Sequence, residues 1–307
     1  MTRKATRISQ LQDDGLNFDQ AIDVLTRSAQ NHSKKHFTFI DLFAGIGGFH
    51  LAAKQNGGEC LMACEIDEAA KQTYLANHEV TNFVEDITKI EIKNIPSHDL
   101  LCAGFPCQPF SQAGFKKGFN DIRGTLFFYI AEIIRVKKPQ AFFLENVRHL
   151  LNHDDGKTLA KIKQVIEELG YSCFYKIIKA SDFGLPQYRP RLFIVGFKNK
   201  NIQFEFPEKM PLTTTMSDIF GKPCSRNIGF TLRVGGRGSK IDDRRNWDRY
   251  LVDGREYKIQ TIDGLKMMGF PADFKFPVSK TQAMKQLGNS VAVPAISKTI
   301  EAIARYL

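Results

Sequence analysis

The chain has 307 residues, of which 43% are hydrophobic and 25% charged, and its formal net charge is +10. This composition is typical of a folded globular protein and excludes collagen-like and disordered polymers. No run approaches the roughly 18 apolar residues of a membrane span, and the first ten residues lack the apolar core of a signal peptide. We therefore expect a cytoplasmic protein without a membrane segment, and the basic balance favours a polyanionic partner.

The six cysteines indicate a reduced protein. They form no C-x-x-C pair, and most lie in apolar runs that are typical of strands. We expect no structural zinc and assign no metal site.

Residues 1–35 are interpreted as an N-terminal extension without an assigned role. From Phe37 onward, short apolar runs alternate with segments of helical spacing. The runs are FTFIDLF, CLMACEID, HDLLCAGF, AFFLENV and RLFIVGF, and the helical segments include TLFFYIAEIIRVKK and GKTLAKIKQVIEELG. This alternation predicts an α/β fold with a mostly parallel sheet wrapped by helices.

The first apolar run leads into a glycine-rich turn, FIDLFAGIGGF, which is followed by a helix-like segment. Gly45 and Gly47 would let the backbone approach a ligand closely. Glu65 ends the next strand, where a carboxylate can accept hydrogen bonds from ribose hydroxyls, and Asp86 would close a third strand. Because the glycine spacing departs from G-x-G-x-x-G, the pattern favours a nucleoside cofactor without a pyrophosphate.

Cys107 lies in a turn, GFPCQPFS, that follows the strand-like run HDLLCAGF. Prolines on both sides restrict the backbone and keep Cys107 out of a regular helix or central strand. An exposed thiol near backbone dipoles suits a nucleophile, whereas the other five cysteines are interpreted as packing residues.

Four polar residues at two strand ends are candidates for the same site. Glu145 and Asn146 end the apolar run AFFLENV, where a carboxylate needs a partner or a raised pKa. Arg189 and Arg191 alternate in QYRPR along an extended segment, so both can point to one face. Taken alone, the two arginines would be ordinary charges on an edge strand.

After Phe197 the alternation of strands and helices stops. Residues 198–259 are rich in Gly, Pro, Thr and Arg, and residues 198–258 hold 13 Lys/Arg against 8 Asp/Glu. We interpret 198–259 as a smaller domain with a nucleic-acid surface. The α/β pattern returns in 260–307, which predicts that 36–197 and 260–307 together form the larger domain.

Ten segments, in order, resemble the motif series of DNA cytosine-5 methyltransferases of the bacterial restriction-modification type. They are FIDLFAGIGGF, EID, EDIT, GFPCQPFS, RGTLFF, ENV, QYRPR, FTLRVGG, MGFP and QLGNSV, and the resemblance spans residues 37–307. It implies a Rossmann-like S-adenosylmethionine-dependent methyltransferase fold with a smaller target-recognition domain at 198–259. It also implies methyl transfer from S-adenosyl-L-methionine to carbon 5 of a cytosine swung out of duplex DNA.

The resemblance assigns roles to the polar residues. Cys107 would add to carbon 6 of the cytosine, Glu145 would hold ring nitrogen 3 and the exocyclic amine, and Arg191 would hold the ring carbonyl oxygen. Arg189 and Asn146 would support them. The residues implied to bind the cofactor are Phe43, Ala44, Gly45, Ile46, Gly47, Glu65, Ile66, Asp86, Ile87, Gly104, Pro106, Asn289 and Ser290.

Three positions, at two places in the chain, depart from the pattern of the family. Ile66 stands where relatives often carry an aromatic residue against the adenine, and Asp263 and Lys266 stand where they usually carry Glu and Arg. The first difference predicts weaker stacking on the adenine. The second leaves the bracing between the two domains as an open question.

Arginines around a glycine turn predict the contacts with DNA. The residues predicted to contact DNA are Arg123, in the loop expected to close over it, and Thr231, Arg233, Arg237, Arg244 and Arg245. An alternative is that Arg244, Arg245 and Arg249 pair with Asp242, Asp243 and Asp248 as a solvated network.

We expect a monomer that acts on double-stranded DNA and protects it from a cognate restriction endonuclease without forming a stable complex with that nuclease. Two other functions fit the same fold, a tRNA cytosine-5 methyltransferase and a non-catalytic DNA-binding regulator. The basic insert and the PCQ turn favour DNA as the substrate, and the joint presence of Cys107, Glu145 and Arg191 favours catalysis.

Overall fold

The computed structural model describes residues 36–106, 125–234 and 240–307. The N-terminal extension at 1–35 and the predicted site residues Cys107, Arg123 and Arg237 lie outside these ranges. Residues Phe37–Leu307 form one compact unit.

Within these ranges, seven strands form a single sheet in the order β3-β2-β1-β4-β5-β7-β6, and two further strands form a hairpin. The strands are β1 (Phe37–Leu42), β2 (Gly58–Cys64), β3 (Asn82–Val84), β4 (Leu100–Gly104), β5 (Ala141–Val147), β6 (Phe174–Lys179), β7 (Pro190–Phe197), β8 (Arg249–Val252) and β9 (Arg255–Lys258). The first five strands run parallel, whereas β7 lies antiparallel to both of its neighbours, β5 and β6. The prediction of a mostly parallel sheet is confirmed.

The central strands are buried on both faces of the sheet. In β1 and β5, the residues Phe39, Ile40, Phe142 and Phe143 are fully buried. A sheet covered by helices on both sides requires continuous apolar runs rather than alternation, which is why FTFIDLF and AFFLENV contain so few polar residues. Polar side chains are therefore concentrated where these strands end.

Eight α-helices connect and cover the strands in the described part of the chain. They are α1 (Gly48–Gln55), α2 (Glu68–Leu75), α3 (Leu126–Lys137), α4 (Lys157–Glu168), α5 (Met216–Phe220), α6 (Thr261–Met268), α7 (Lys280–Asn289) and α8 (Val293–Ala304). In α8, Ile296, Ile300 and Ile303 form an apolar stripe that is fully buried. Helix α8 packs against α1, so the end of the chain completes the layer that begins after β1.

The basic segment 198–259 contains α5 and the β8–β9 hairpin. Its buried side chains Met216, Leu232 and Tyr250 belong to the same hydrophobic core as Phe39 of β1. Packing is thus continuous across residues 198 and 259, and the domain boundary there stays a prediction.

Asp263 and Lys266 brace this segment against α6. The Asp263 carboxylate accepts hydrogen bonds from the Gln260 N–H and from the Tyr257 hydroxyl, at 2.8 and 2.9 Å. The Lys266 ammonium donates to the Ile219 carbonyl at 3.3 Å. These shorter or differently shaped side chains therefore do connect α6 with α5 and β9.

No helix in the described ranges is long and apolar enough to cross a bilayer.

Candidate active site

A cavity of about 480 Å³ opens where β1, β2, β4 and β5 end. Carboxyl ends of parallel strands are the usual ligand-binding edge of an open α/β sheet. The cavity is lined by Phe43, Gly45, Ile46, Cys64, Glu65, Ile66, Asp67, Ala70, Glu85, Asp86, Ile87, Thr88, Gly104, Phe105, Pro106, Leu126, Glu145, Asn146, Val147, Arg191, Lys285, Gln286, Gly288, Asn289 and Ser290.

The turn after β1 requires unusual backbone angles. Phe43, Gly45 and Gly47 have positive φ angles of 56°, 57° and 85°. At Phe43 such an angle costs about 1–3 kcal/mol, a strain that is common at functional sites. A Cβ on Gly45 would have no atom within 4 Å, whereas one on Gly47 would lie 2.2 Å from His78 Nε2. Gly45 thus leaves room for a ligand, and Gly47 leaves room for a buried histidine.

Glu65 is held in place by the turn that it faces. One carboxylate oxygen accepts a hydrogen bond from the Gly45 N–H and the other accepts one from the Asp67 N–H, both at 2.8 Å. Each oxygen keeps a lone pair for another donor. The carboxylate is therefore fixed at the end of β2 and can still bind a ligand hydroxyl.

Asp86 lies at the same edge, although it does not close a strand as predicted. Strand β3 ends at Val84, and Asp86 begins a 3₁₀ helix at 87–89. Its carboxylate accepts hydrogen bonds from the Thr88 hydroxyl at 2.7 Å and from the Thr88 N–H at 2.9 Å. These bonds hold the pKa of Asp86 below its ordinary value, so the side chain is an anionic acceptor.

Glu145 and Arg191 meet across β5 and β7. Arg191 Nε lies 2.9 Å from Glu145 Oε1, but this oxygen accepts no well-aligned hydrogen bond from the described residues. Burial raises the pKa of Glu145 above its ordinary value, against the attraction of Arg191 and Arg189. A carboxyl group in this setting can exchange a proton with a bound partner.

Asn146 connects β5 to the segment after β4. Its Nδ2 donates to the Phe105 carbonyl at 2.8 Å, and its Oδ1 accepts from the Val147 N–H at 2.8 Å. Because the side chain is buried and uses both ends of its amide, it fixes the backbone two residues before Cys107 in the sequence.

Arg189 lies behind the cavity and does not line it. Its guanidinium is 1% exposed and donates to the carbonyls of Leu232, Gly288 and Ser290, at 3.1, 2.8 and 2.5 Å. Three carbonyls from two distant segments thus converge on a single side chain. Arg189 holds the residues that carry the site and is placed to support it rather than to touch a substrate.

The structure brings most of the predicted cofactor residues to the cavity. Eleven of the thirteen line it, and the other two, Ala44 and Gly47, lie in the turn after β1 without lining it. Sequence reasoning missed Asp67, Thr88, Leu126 and Lys285, which also line it. Lys285 Nζ lies 3.2 Å from Asp67 Oδ2, and no local pattern could have paired residues 218 positions apart.

None of the described residues predicted to contact DNA lines the cavity. Arg233 and Arg244 are exposed, and the Thr231 hydroxyl donates to the Tyr188 carbonyl. Arg245 forms an ion pair with Asp243 at 2.8 Å, as the solvated-network alternative predicted. In contrast, Arg249 pairs with Glu256, and Asp248 pairs with Lys258, so that part of the network differs from the prediction.

Comparison with known proteins places the sequence among DNA methyltransferases. The family model for C-5 cytosine-specific DNA methylases matches residues 37–261 and 231–305. The type II methyltransferase M.NlaX of Neisseria lactamica is 42% identical over 298 residues, covering 86% of this chain and 95% of that protein. The type II methyltransferase M.HhaI of Haemophilus parahaemolyticus is 39% identical over 300 residues, covering 83% and 90%.

Solved structures agree on the fold. A DNMT2 mutant from Spodoptera frugiperda superposes with a TM-score of 0.68 at 20% identity, over 87% of this chain and 99% of that one. The Dnmt2 methyltransferase of S. pombe gives a TM-score of 0.68 at 18% identity, over 87% and 98%. The family match covers most of the chain and includes every strand of the large sheet, and the chain therefore belongs to the C-5 cytosine-specific DNA methylase family.

Proposed function

We propose that this DNA cytosine-5 methyltransferase uses S-adenosyl-L-methionine to methylate a cytosine swung out of duplex DNA, with Cys107 as the nucleophile. The observation that carries the proposal is the buried contact between Glu145 and Arg191 in the wall of the cavity that Glu65 and Asp86 also line. One cavity thus offers hydrogen-bond acceptors for a nucleoside, and a carboxyl group and a guanidinium for the cytosine ring.

The donor set suits an adenosine cofactor. Glu65, fixed by two backbone N–H groups, would accept hydrogen bonds from the ribose hydroxyls, and Asp86 would accept one from the adenine amino group. Ile66, whose side chain is 71% exposed, would cover the adenine with a smaller apolar surface than an aromatic ring provides. Asn289 and Ser290, at the end of α7, would hold the methionine end. When bound, the cofactor supplies an electrophilic methyl group.

Cytosine carbon 5 is a weak nucleophile and must be activated. The Cys107 thiolate would add to carbon 6, forming a carbon–sulfur bond and shifting the electron pair of the 5,6 double bond toward carbon 5. Carbon 5 would use this pair to bond the transferred methyl group, which would leave S-adenosylhomocysteine. A base would then remove the proton from carbon 5, and the electron pair of that carbon–hydrogen bond would re-form the 5,6 double bond as the thiolate leaves. The double bond is restored and the enzyme is unchanged.

Glu145 would stabilise the ring during this addition. Negative charge that builds up on the ring is relieved by a proton or hydrogen bond at nitrogen 3, and the raised pKa of Glu145 keeps that proton available. Arg191 would donate to the ring carbonyl oxygen, while Arg189 and Asn146 keep the surrounding backbone in place.

Trapping by a modified substrate tests the covalent route. Bisulfite sequencing of DNA from cells that express the protein would first identify the methylated sequence. With S-adenosyl-L-methionine present, a duplex with 5-fluorocytosine at that position should then form a stable adduct with the wild-type protein and with Cys173→Ala, whose cysteine does not line the cavity. Cys107→Ala should form none, and an adduct in that variant would contradict the assignment.

Substitution of Glu145 tests the acid–base role. Because general acid catalysis contributes typically 10²–10⁴-fold, Glu145→Gln should lower kcat by about that factor while DNA binding persists.

Two results would favour the alternative functions. Methyl transfer to tRNA in preference to duplex DNA would favour a tRNA cytosine-5 methyltransferase, and DNA binding without turnover in the wild-type protein would favour a non-catalytic regulator.

We further propose that the protein acts in the cytoplasm as a monomer, with 198–259 as the target-recognition domain. It would protect DNA from a restriction endonuclease without forming a stable complex with that nuclease. M.NlaX and M.HhaI are both type II methyltransferases, which supports a functional partnership with a restriction endonuclease. DNA from expressing cells should resist cleavage by a nuclease that recognises the methylated sequence.

A further inference from the structure

Two cation–aromatic pairs lie on the outer side of the segment that leads to Arg191. Lys179 Nζ lies 5.5 Å from the centroid of the Tyr188 ring, and Arg226 Cζ lies 4.2 Å from the centroid of the Phe230 ring. Tyr188 is 47% exposed and Arg226 is exposed. None of these residues was assigned a role by the sequence motifs.

Backbone hydrogen bonds place the two pairs side by side. Gln187 and Gly229 oppose each other in a parallel bridge, and the Tyr188 N–H donates to the Gly229 carbonyl at 2.9 Å. Gln187 and Gly229 are buried, and successive side chains of extended segments point to opposite faces. Tyr188 and Phe230, one residue further along each segment, therefore lie next to each other. Tyr188 is exposed, whereas Phe230 is half-buried and its ring packs against Tyr250 at 5.6 Å between centroids.

The surface lies at the same edge of the sheet as the active site. Lys179 is the last residue of β6 and pairs with Pro190, and the preceding residue of β6 pairs with Arg191. Arg191 in turn opposes Val147 at the end of β5. A duplex whose extruded base reaches Glu145 would have to pass over this edge.

Neither Lys179 nor Arg226 is neutralised by a neighbouring carboxylate among the described residues. Asp182, the acid nearest to Lys179 in the sequence, already forms an ion pair with Lys209 at 3.6 Å. In and beside the β8–β9 hairpin, Glu256 is paired with Arg249 and Asp248 is paired with Lys258. No ion pair joins Lys179 or Arg226 to any carboxylate within the described ranges. Each cation is instead positioned by an aromatic ring, which leaves its N–H donors for a ligand and reduces the entropy lost on binding.

We infer that Lys179 and Arg226, positioned by Tyr188 and Phe230, bind phosphates of the DNA backbone beside the extruded cytosine. The inference rests on the proposed function for the location of the base. Contacts of this kind position the duplex without reading its sequence. They would orient the DNA so that the target cytosine faces the cavity.

Salt dependence of binding to mixed-sequence duplex DNA tests the inference. The full chain with both substitutions Lys179→Gln and Arg226→Gln should bind more weakly than wild type. Its plot of log K against log salt should be shallower by roughly 0.9 for each lost contact. The matched control is Lys163→Gln with Lys298→Gln, which removes the same charge from helices α4 and α8, where both lysines are paired with glutamates.

The outcomes separate this inference from the proposed function. If the double variant has the same affinity and the same salt slope as the control, the backbone contacts at Lys179 and Arg226 are refuted. A wild-type protein that neither binds nor methylates duplex DNA would instead refute the proposed function. Thermal denaturation of both double variants checks that they are folded, and the control variant should methylate plasmid DNA with the wild-type kcat.

Discussion

The backbone of Arg233 passes directly over Gly288. A Cβ on Gly288 would lie 2.7 Å from both the carbonyl carbon and the carbonyl oxygen of Arg233. Gly288 lines the cavity one residue before Asn289, and Arg233 is one of the residues predicted to contact DNA. The two backbones therefore pack directly against each other, with no room for a side chain at Gly288.

Replacing Gly288 by Ala should separate these two segments. The added methyl group meets backbone rather than a flexible side chain, and such overpacking costs about 1–3 kcal/mol. We expect a lower Tm and weaker binding of both S-adenosylhomocysteine and DNA, measured by thermal denaturation and by titration. Gly264→Ala is the control, since a Cβ there would meet only side-chain atoms at 3.2 Å or more. Equal effects of the two substitutions would contradict the role of this contact.

Asn146→Asp should impair turnover more than folding. The substitution replaces the donor to the Phe105 carbonyl by an acceptor and leaves that buried carbonyl without its partner, at a cost of about 1–3 kcal/mol. The backbone before Cys107 would lose its anchor, so we expect kcat to fall by about tenfold or more. Asn82→Asp is the comparison, because the exposed Asn82 also donates to a backbone carbonyl, that of Leu61. A kcat that is the same in both variants would refute the anchoring role.

Glu145 should make stability depend on pH. Its pKa is raised in the folded protein, so the folded state retains this proton at pH values where the unfolded chain has lost it. The contribution of this proton to the free energy of unfolding is fully present below the ordinary pKa of 4.5. It is lost as the pH rises through the raised pKa of the folded protein. Relative to Glu145→Gln, the wild-type protein should lose stability over that interval.

Thermal denaturation of both proteins across this pH interval measures the effect. The difference in Tm between wild type and Glu145→Gln should change steadily with pH and level off once Glu145 is ionised. Because Asp41 also has a raised pKa and is present in both proteins, its contribution cancels in the comparison. A difference that stays constant with pH would show that Glu145 titrates normally.

The sequence predicted the sheet and its helices because burial on both faces leaves a strong signal. A continuous apolar run such as AFFLENV ends at residues whose chemistry differs from their surroundings, here Glu145 and Asn146, and those residues mark the edge of the sheet. The glycine turn and Glu65 could be placed together from strand order alone. These inferences need only local patterns and the rule that parallel strands end at one edge.

Other parts of the site depend on contacts between distant segments. The ion pair of Asp67 with Lys285 and the three carbonyls held by Arg189 arise only after α7 returns to the sheet. Lys285 looks like any charged residue on a helix, and Arg189 looks like a charge on an edge strand. Periodicity shows which face of an element is buried, but it does not show what that face meets.

The reversed direction of β7 makes the active site sensitive to chain length. Since β7 runs against β5, Arg191 enters near the beginning of its strand, and the connection from β6 sets how far along it lies. Removing one residue from 184–188 would shift this pairing by one position and turn the guanidinium to the opposite face of the sheet. The apolar residues behind it would be displaced to the wrong side as well. The number of residues in that connection is therefore constrained independently of which residues they are.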